Sequence, residues 1–458
     1  MKIIIVGGGK VGLTLAEQLS ALGNDITLLD TNASVIEKAA SSLDIRGIVG
    51  SGTSYKAQME AGISDADILI AVTENDETSL LSCLIAKKAG NCKTIARVRD
   101  PEYYSEISFI REELGLALAI NPDIAVATEI ERLIQIPSAI EADTFAKGRV
   151  TIVKINIPED SVMNGLKLSD LHTKISERIL VCIVERDDDV IIPNGSTVIR
   201  ANDKISVIMP LHEARGIMRK IGIDSKPVRT TLIAGGSKIS YYLAEKLLRA
   251  KQQVKIIERD VKRCERLSEL LPKAMVLCGD VSDEELLLEE GIRDVDAFVA
   301  LTNFDEGNIL VSMYANEISK AKIITKISKI SFEKILGTIS IGTPVFPKQI
   351  TAERIIRYVR AIGNSSEEDE IQALYKMAGG KAEALELFVD EAAVDDGVAN
   401  VPLRNLNIRK DVILGCINKK GRRLVTPHGG DVMELGDTVI VVTTQTNKIS
   451  RLSDIIAK

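Results

Sequence analysis

Tryptophan is absent, aromatic residues make up only 3% of the 458 positions, and there are three histidines, His172, His212 and His428. Base-stacking platforms are therefore not expected, and a formal charge of −7 argues equally against nucleic acid as a partner. No motif surrounds any histidine, and there is no P-loop, G-x-S-x-G, H-E-x-x-H or catalytic cysteine signature. No catalytic residue and no metal site are expected. The six cysteines, Cys83, Cys92, Cys182, Cys264, Cys278 and Cys416, form no C-x-x-C and read as small buried residues of a reducing cytoplasm. No apolar run could span a bilayer. Met1-Lys2 leads straight into an apolar strand pattern, so neither direct membrane insertion nor a signal peptide is expected.

What is present is a 45% hydrophobic, 27% charged globular composition, long enough for about three or four domains. Strand and helix patterns alternate to about residue 120, as in a doubly wound parallel sheet. The apolar run Ile3 to Val6 leads into Gly7-Gly8-Gly9-Lys10-Val11-Gly12, and an acid, Asp30, followed by Thr31, ends the next apolar run. That context is what a dinucleotide fingerprint requires. Gly7 permits the tight turn, Gly9 a close approach to a pyrophosphate, and Gly12 close packing of helix on strand. The helix N-terminus faces the phosphates. Asp30 lies where a carboxylate accepts ribose hydroxyls and repels a 2′-phosphate, favouring NAD over NADP.

Other candidates sit at the carboxyl ends of later strand patterns, where ligands bind in open parallel sheets. They are Gly50, Thr53, Thr73, Glu74, Asn75, Arg97 and Arg99. Thr53 is positioned to cap a helix. Of the two arginines, alternation allows only one to face the cleft. From Asn121-Pro122 the apolar positions Ile124, Ala127, Ile130, Leu133 and Ile134 mark an amphipathic helix expected to dock on a neighbour. From Arg149 short β runs take over, with Asp187-Asp188-Asp189 read as a solvated hairpin turn, since the spacing is not that of a calcium loop.

The chain then repeats. Gly235-Gly236-Ser237-Lys238-Ile239-Ser240 follows a second buried run, Glu258 stands where Asp30 stands, Gly279 matches Gly50, and DVDAFVALTNFDE matches DADILIAVTENDE. Arg97 falls on Lys326, and a second amphipathic helix follows Phe346-Pro347. Even the β unit recurs, Pro427-His428-Gly429 answering Pro193-Asn194-Gly195. Ser237 replaces Gly9 and Ser240 replaces Gly12, so the second site is expected to be weaker, altered or purely structural, although Glu258 keeps the ribose acceptor. The fold class is α/β: two tandem Rossmann-like domains, each followed by a small α+β domain. The boundaries are 1–122, a connecting helix 123–138, 139–223, then 229–347, a helix and acidic linker 348–370, and 371–458.

KIIIVGGGKVG, DILIAVTENDE, ARVRDPEY and the duplicated β unit together resemble the Trk-type potassium-uptake regulatory subunits, a family of tandem RCK domains (TrkA-N and TrkA-C), nearly end to end. The resemblance implies a non-enzymatic, self-associating peripheral protein on the cytoplasmic face of the membrane, gating a separate membrane-embedded potassium-translocating subunit. It implies NAD(H) as ligand, with ATP or ADP as alternatives, held by Gly7, Gly9, Gly12, Asp30, Thr73, Asn75 and Arg97 or Arg99. The competing reading is a cytosolic NAD-dependent dehydrogenase, against which the missing acid–base group argues.

Overall fold

The computed structural model describes residues 1–457 apart from 147–148, 176–178, 188, 224–225, 330–338, 364–370, 421–422, 445–448 and 450. The acidic linker Asn364 to Glu370 and Asp188 of the expected hairpin turn lie outside the described residues. The chain forms two compact units, Met1–Glu131 with Arg229–Val359 and Arg132–Val228 with Arg360–Lys458.

The first unit begins with β1 (Lys2–Val6), α1 (Lys10–Ala21), β2 (Asp25–Asp30), α2 (Ala33–Ser42), β3 (Arg46–Val49) and α3 (Tyr55–Glu60). It continues with β4 (Ile68–Ala71), α4 (Asp76–Ala89), β5 (Lys93–Arg97), α5 (Pro101–Ser105), α6 (Ile107–Leu114), β6 (Leu118–Ile120) and α7 (Pro122–Gln135). The sheet order is β3-β2-β1-β4-β5-β6, with every pairing parallel. Helices cover both faces, which is why β1 and β4 are unbroken apolar runs and not alternating ones. The chain reverses direction of winding between β1 and β4, and that is where the sheet opens a crevice.

In the second unit β7 (Glu141–Phe145), β8 (Val150–Asn156), α8 (Leu171–Lys174), β9 (Leu180–Arg186), β10 (Asp189–Ile191), β11 (Lys204–Pro210) and α9 (Ala214–Lys220) build an antiparallel sheet of order β10-β9-β11-β8-β7.

The first unit then resumes with β12 (Thr230–Ala234), α10 (Lys238–Arg249), β13 (Gln253–Glu258), α11 (Val261–Leu270), β14 (Met275–Cys278) and α12 (Glu284–Glu289). After these come β15 (Ala297–Ala300), α13 (Asp305–Ile318), β16 (Lys322–Lys326), β17 (Thr343–Val345) and α14 (Pro347–Gly363). Its parallel sheet, β14-β13-β12-β15-β16-β17, reproduces the first. The two connecting helices are exchanged between the halves: Glu131 of α7 pairs with Lys246 of α10 at 3.1 Å, and the Tyr358 hydroxyl of α14 donates to the Ala117 carbonyl at 2.8 Å. The expectation that the appended helix docks on a neighbour holds.

The remaining elements, β18 (Ile371–Met377), β19 (Ala382–Phe388), α15 (Glu391–Asp395), β20 (Val412–Lys419), β21 (Arg423–Val425) and β22 (Thr438–Thr443), repeat the antiparallel order as β18-β19-β22-β20-β21. Within the second unit the two antiparallel sheets share one apolar core, with Val150, Ile183 and Ile208 against Ala384, Ile440 and Val442. The approach is close: a Cβ on Gly415 would lie 2.2 Å from the Ile208 Cδ1. Phe145 and Tyr375 stack there with ring centroids 4.1 Å apart.

Candidate functional site

In the first half the crevice is assembled from the ends of β1, β2, β4 and β5. Gly7 has φ +105°, and a Cβ there would lie 3.0 Å from the Val72 carbonyl oxygen, so only glycine suits the turn. A Cβ on Gly12 would come within 1.8 Å of the Gly7 carbonyl oxygen, so α1 is packed directly on the loop. Gly9 is the N-cap of α1 and has no side-chain cap; a Cβ there meets nothing within 4 Å. Its surroundings leave the helix N-terminus free to receive an anion. Lys10 is exposed and Val11 half-buried at the same helix start.

The Asp30 carboxylate is turned onto the loop: Oδ2 accepts the Gly8 N–H at 2.6 Å and Oδ1 the Asn32 N–H at 2.8 Å. Thr31 beside it is exposed. Gly50 ties β3 to this point through its N–H to the Asp30 carbonyl at 2.9 Å. Thr73 bonds the Ser79 hydroxyl at 2.8 Å, Glu74 is exposed, and Asn75 caps α4 by accepting the Thr78 N–H at 2.9 Å. Arg97 donates to the Thr73 carbonyl, and its Nε is buried without a hydrogen-bond partner. Burial, reinforced by the neighbouring Arg99 charge, holds its pKa below the ordinary arginine value. An anion in the crevice would reverse that penalty.

Three sequence expectations are corrected or decided here. Thr53 does not cap α3; Ser54 does, its hydroxyl accepting the Ala57 N–H at 3.3 Å. Thr53 instead bonds Ser51 through the two hydroxyls, 2.8 Å apart. Of the two arginines, Arg97 donates to the Thr73 carbonyl beyond the end of β4, while Arg99 pairs with Asp123 at the start of α7 at 3.2 Å. Cys278 is exposed, unlike the other five cysteines, because it ends an edge strand.

Sequence reading missed Lys348, the second residue of α14, which lies beside Lys10 of the first half's loop. Burial first, and the Lys10 ammonium next, hold Lys348 below the usual lysine range. The two ammonium groups thus lie together near the start of α1, and the Asp305 carboxylate partly offsets them.

In the second half Glu258 repeats the Asp30 geometry: Oε2 accepts the Gly236 N–H at 2.7 Å and Oε1 the Asp260 N–H at 2.9 Å. Ser240 does stand where Gly12 stands, yet its buried hydroxyl donates to the Gly235 carbonyl at 2.6 Å, so the added side chain is absorbed as a bond. Ser237 caps α10 by accepting the Ser240 N–H at 3.3 Å. A cavity of about 920 Å³ opens over these residues. The half whose glycines are altered therefore keeps an open cleft.

Comparison with known proteins adds the following. The TrkA-N domain family matches residues 3–122 and 231–347, and the TrkA-C domain family matches residues 152–222. The chain is 33% identical over 452 residues to the Trk system potassium uptake protein TrkA of Halomonas elongata, covering 98% of this chain and 97% of that one. It is 32% identical over 454 residues to the protein of the same name from Vibrio alginolyticus, with coverages of 98% and 97%. A TrkA homolog from Archaeoglobus fulgidus is 31% identical over 442 residues, covering 96% and 97%. Among solved structures, the GsuK channel bound to NAD superposes with a TM-score of 0.62 at 14% identity, covering 97% of this chain and 77% of that one. The GsuK RCK domain gives 0.61 at 14% identity, with coverages of 97% and 93%.

Proposed function

The chain belongs to the TrkA family of potassium-uptake proteins, and from that premise we propose that it is a nucleotide-sensing regulatory subunit. In this reading it binds NAD(H), or an adenine nucleotide such as ATP or ADP, in the first-half crevice. Occupancy there sets the activity of a separate membrane-embedded potassium-translocating subunit, on whose cytoplasmic face the protein sits as an oligomer. The relatives that span the chain are named for potassium uptake, and in this reading the protein regulates that uptake and catalyses no reaction of its own.

The observation that carries the reading is the convergence of the Gly7–Gly9 backbone, Asp30, Arg97 and Lys10 at the carboxyl end of one parallel sheet, with Lys348 brought in from the other half. The loop and helix start hold a pyrophosphate, and Asp30 exchanges its backbone bonds for ribose hydroxyls. Arg97 and the lysine pair neutralise the phosphates. Because Lys348 belongs to α14, filling the crevice also pulls on the helix exchanged between the halves. That supplies the differential contact a regulatory transition needs, typically about 1–3 kcal/mol of coupling.

The test pairs calorimetric nucleotide affinity with potassium flux in membranes reconstituted with a Trk translocating subunit. Nucleotide-dependent flux that disappears in Asp30→Ala is the expected result. Binding without any change in flux would overturn the regulatory part, and absence of binding would overturn both.

A further inference from the structure

The second half's cleft differs from the first by more than its serines. In the first half a buried amide bridges α3 and α4. The Gln58 side chain, fully buried, donates to the Gly52 carbonyl at 2.6 Å and the Ser82 carbonyl at 2.9 Å. Gly52 is pressed so tightly that a Cβ would lie 2.1 Å from Val6 Cγ1. At the matching positions the second half has Val281, Leu287 and Val311; the Leu287 side chain has no amide to bridge the two backbone carbonyls, and the groove between α12 and α13 stands open with an apolar floor. Its volume, about 920 Å³, lies within the range of small-molecule sites, roughly 300–1,000 Å³.

The polar rim differs too. Thr31 and Val35 of the first half are replaced by Arg259 and Arg263, and both arginines line the cavity. Arg263 Nη1 lies 3.4 Å from Glu258 Oε2. The carboxylate that would repel a second phosphate is thus turned onto the backbone on one side and neutralised on the other. A ribose placed at Glu258 presents its 2′ oxygen to this pair of guanidinium groups, which are shaped for phosphate.

We propose that the second half is a separate site for an adenine nucleotide carrying a 2′-phosphate, such as NADP(H), with the base in the apolar groove between α12 and α13. The two halves then sense different nucleotides: the first, with Asp30 and no arginine at the two matching positions, reads the unphosphorylated ribose. This rests on the nucleotide-binding reading of the fold, but not on the regulatory one.

Calorimetry on the full chain with NADPH, adenosine 2′,5′-bisphosphate and NADH tests it. In Asp30→Ala, one NADPH and one bisphosphate are expected to bind per chain as in the unmodified protein. Arg259→Ala with Arg263→Ala should weaken both at least tenfold and leave NADH at the first cleft unchanged. Arg259→Ala alone, at an exposed position, guards against a fold disturbed by an unpaired Glu258 and should lose at least threefold. NADPH binding that disappears in Asp30→Ala, or that is indifferent to both arginines, overturns the proposal. If NADH binds and regulates flux while NADPH binds nowhere, this inference fails and the regulatory reading stands. NADPH bound in the second cleft with no nucleotide effect on flux is the reverse outcome.

Discussion

The Gly8 amide donates to the Asp30 carboxylate at 2.6 Å, so the loop itself satisfies the acid that is to receive a ribose. A ligand must replace that bond with one of equal quality, and it gains nothing if its 2′ position is a phosphate. Asp30→Ala should weaken NADH at least tenfold, since hydrogen bonds to a charged group are worth roughly 1.5–3 kcal/mol. With Arg259 and Arg263 both changed to alanine, so that only the first cleft is read, NADPH should bind at least tenfold more weakly than NADH. Equal affinities for the two would sink the role given to Asp30.

The two loop glycines should separate binding from folding. Gly9→Ser adds a Cβ that meets no protein atom within 4 Å, so its stability should stay within about 0.5 kcal/mol of the parent. Its nucleotide affinity should fall, because the serine occupies the pyrophosphate's side of the turn. Gly12→Ser would place a Cβ 1.8 Å from the Gly7 carbonyl oxygen, and overpacking of that kind costs about 1–3 kcal/mol or more. Thermal melts read beside titrations check both; a Gly12→Ser protein as stable as the parent would refute the packing account.

Arg97 and Arg99, two residues apart, should fail in different ways. Arg97→Met should lower nucleotide affinity with little loss of stability, since its guanidinium is penalised by burial in the free protein. Arg99→Ala strips the partner from Asp123, whose side chain is 8% exposed, and should cost about 1–2 kcal/mol of stability with affinity nearly unchanged. Equal affinity losses in the two variants would contradict the assignment of Arg97 to the crevice.

Acid should weaken the first antiparallel sheet through Asp203. Burial alone would raise the Asp203 pKa, but the bonds from Arg186 and the Arg200 amide outweigh it and hold the carboxyl below its usual value. A depressed carboxylate pKa stabilises the fold above the unfolded value, about 3.9, and the contribution is lost as pH falls through the folded value. Asp203→Asn should therefore reduce stability at pH 7 and narrow the gap from the parent as pH drops below about 4. A stability difference that is the same at pH 7 and pH 3 would exclude the ion pair as its source.

Much of this was legible in the sequence because the repeat is exact in spacing from Gly7 to Asp30 and Gly235 to Glu258, and spacing fixes topology in a doubly wound sheet. The sheet order and the docking of α7 followed from that. Cleft size did not, because attention to glycines alone misjudges a groove whose width is set one layer deeper. Gln58 and Leu287 occupy the same position, and only the first can bond across to Ser82. Ser240 misleads for a related reason: its hydroxyl finds the Gly235 carbonyl, a partner that no composition or period reveals. Lys348 was out of reach altogether, since nothing local tells that α14 starts beside the other half's loop.

The exchange of α7 and α14 has a mechanical corollary. Each half is fastened by a clasp that the other half wears, Glu131 on Lys246 in one direction and Tyr358 on Ala117 in the other. Cutting the backbone near Arg229, where the second half begins, would sever the covalent thread and leave both clasps shut. Two co-expressed fragments should therefore copurify as one body and melt in one step, and each alone should be left with an unmatched clasp.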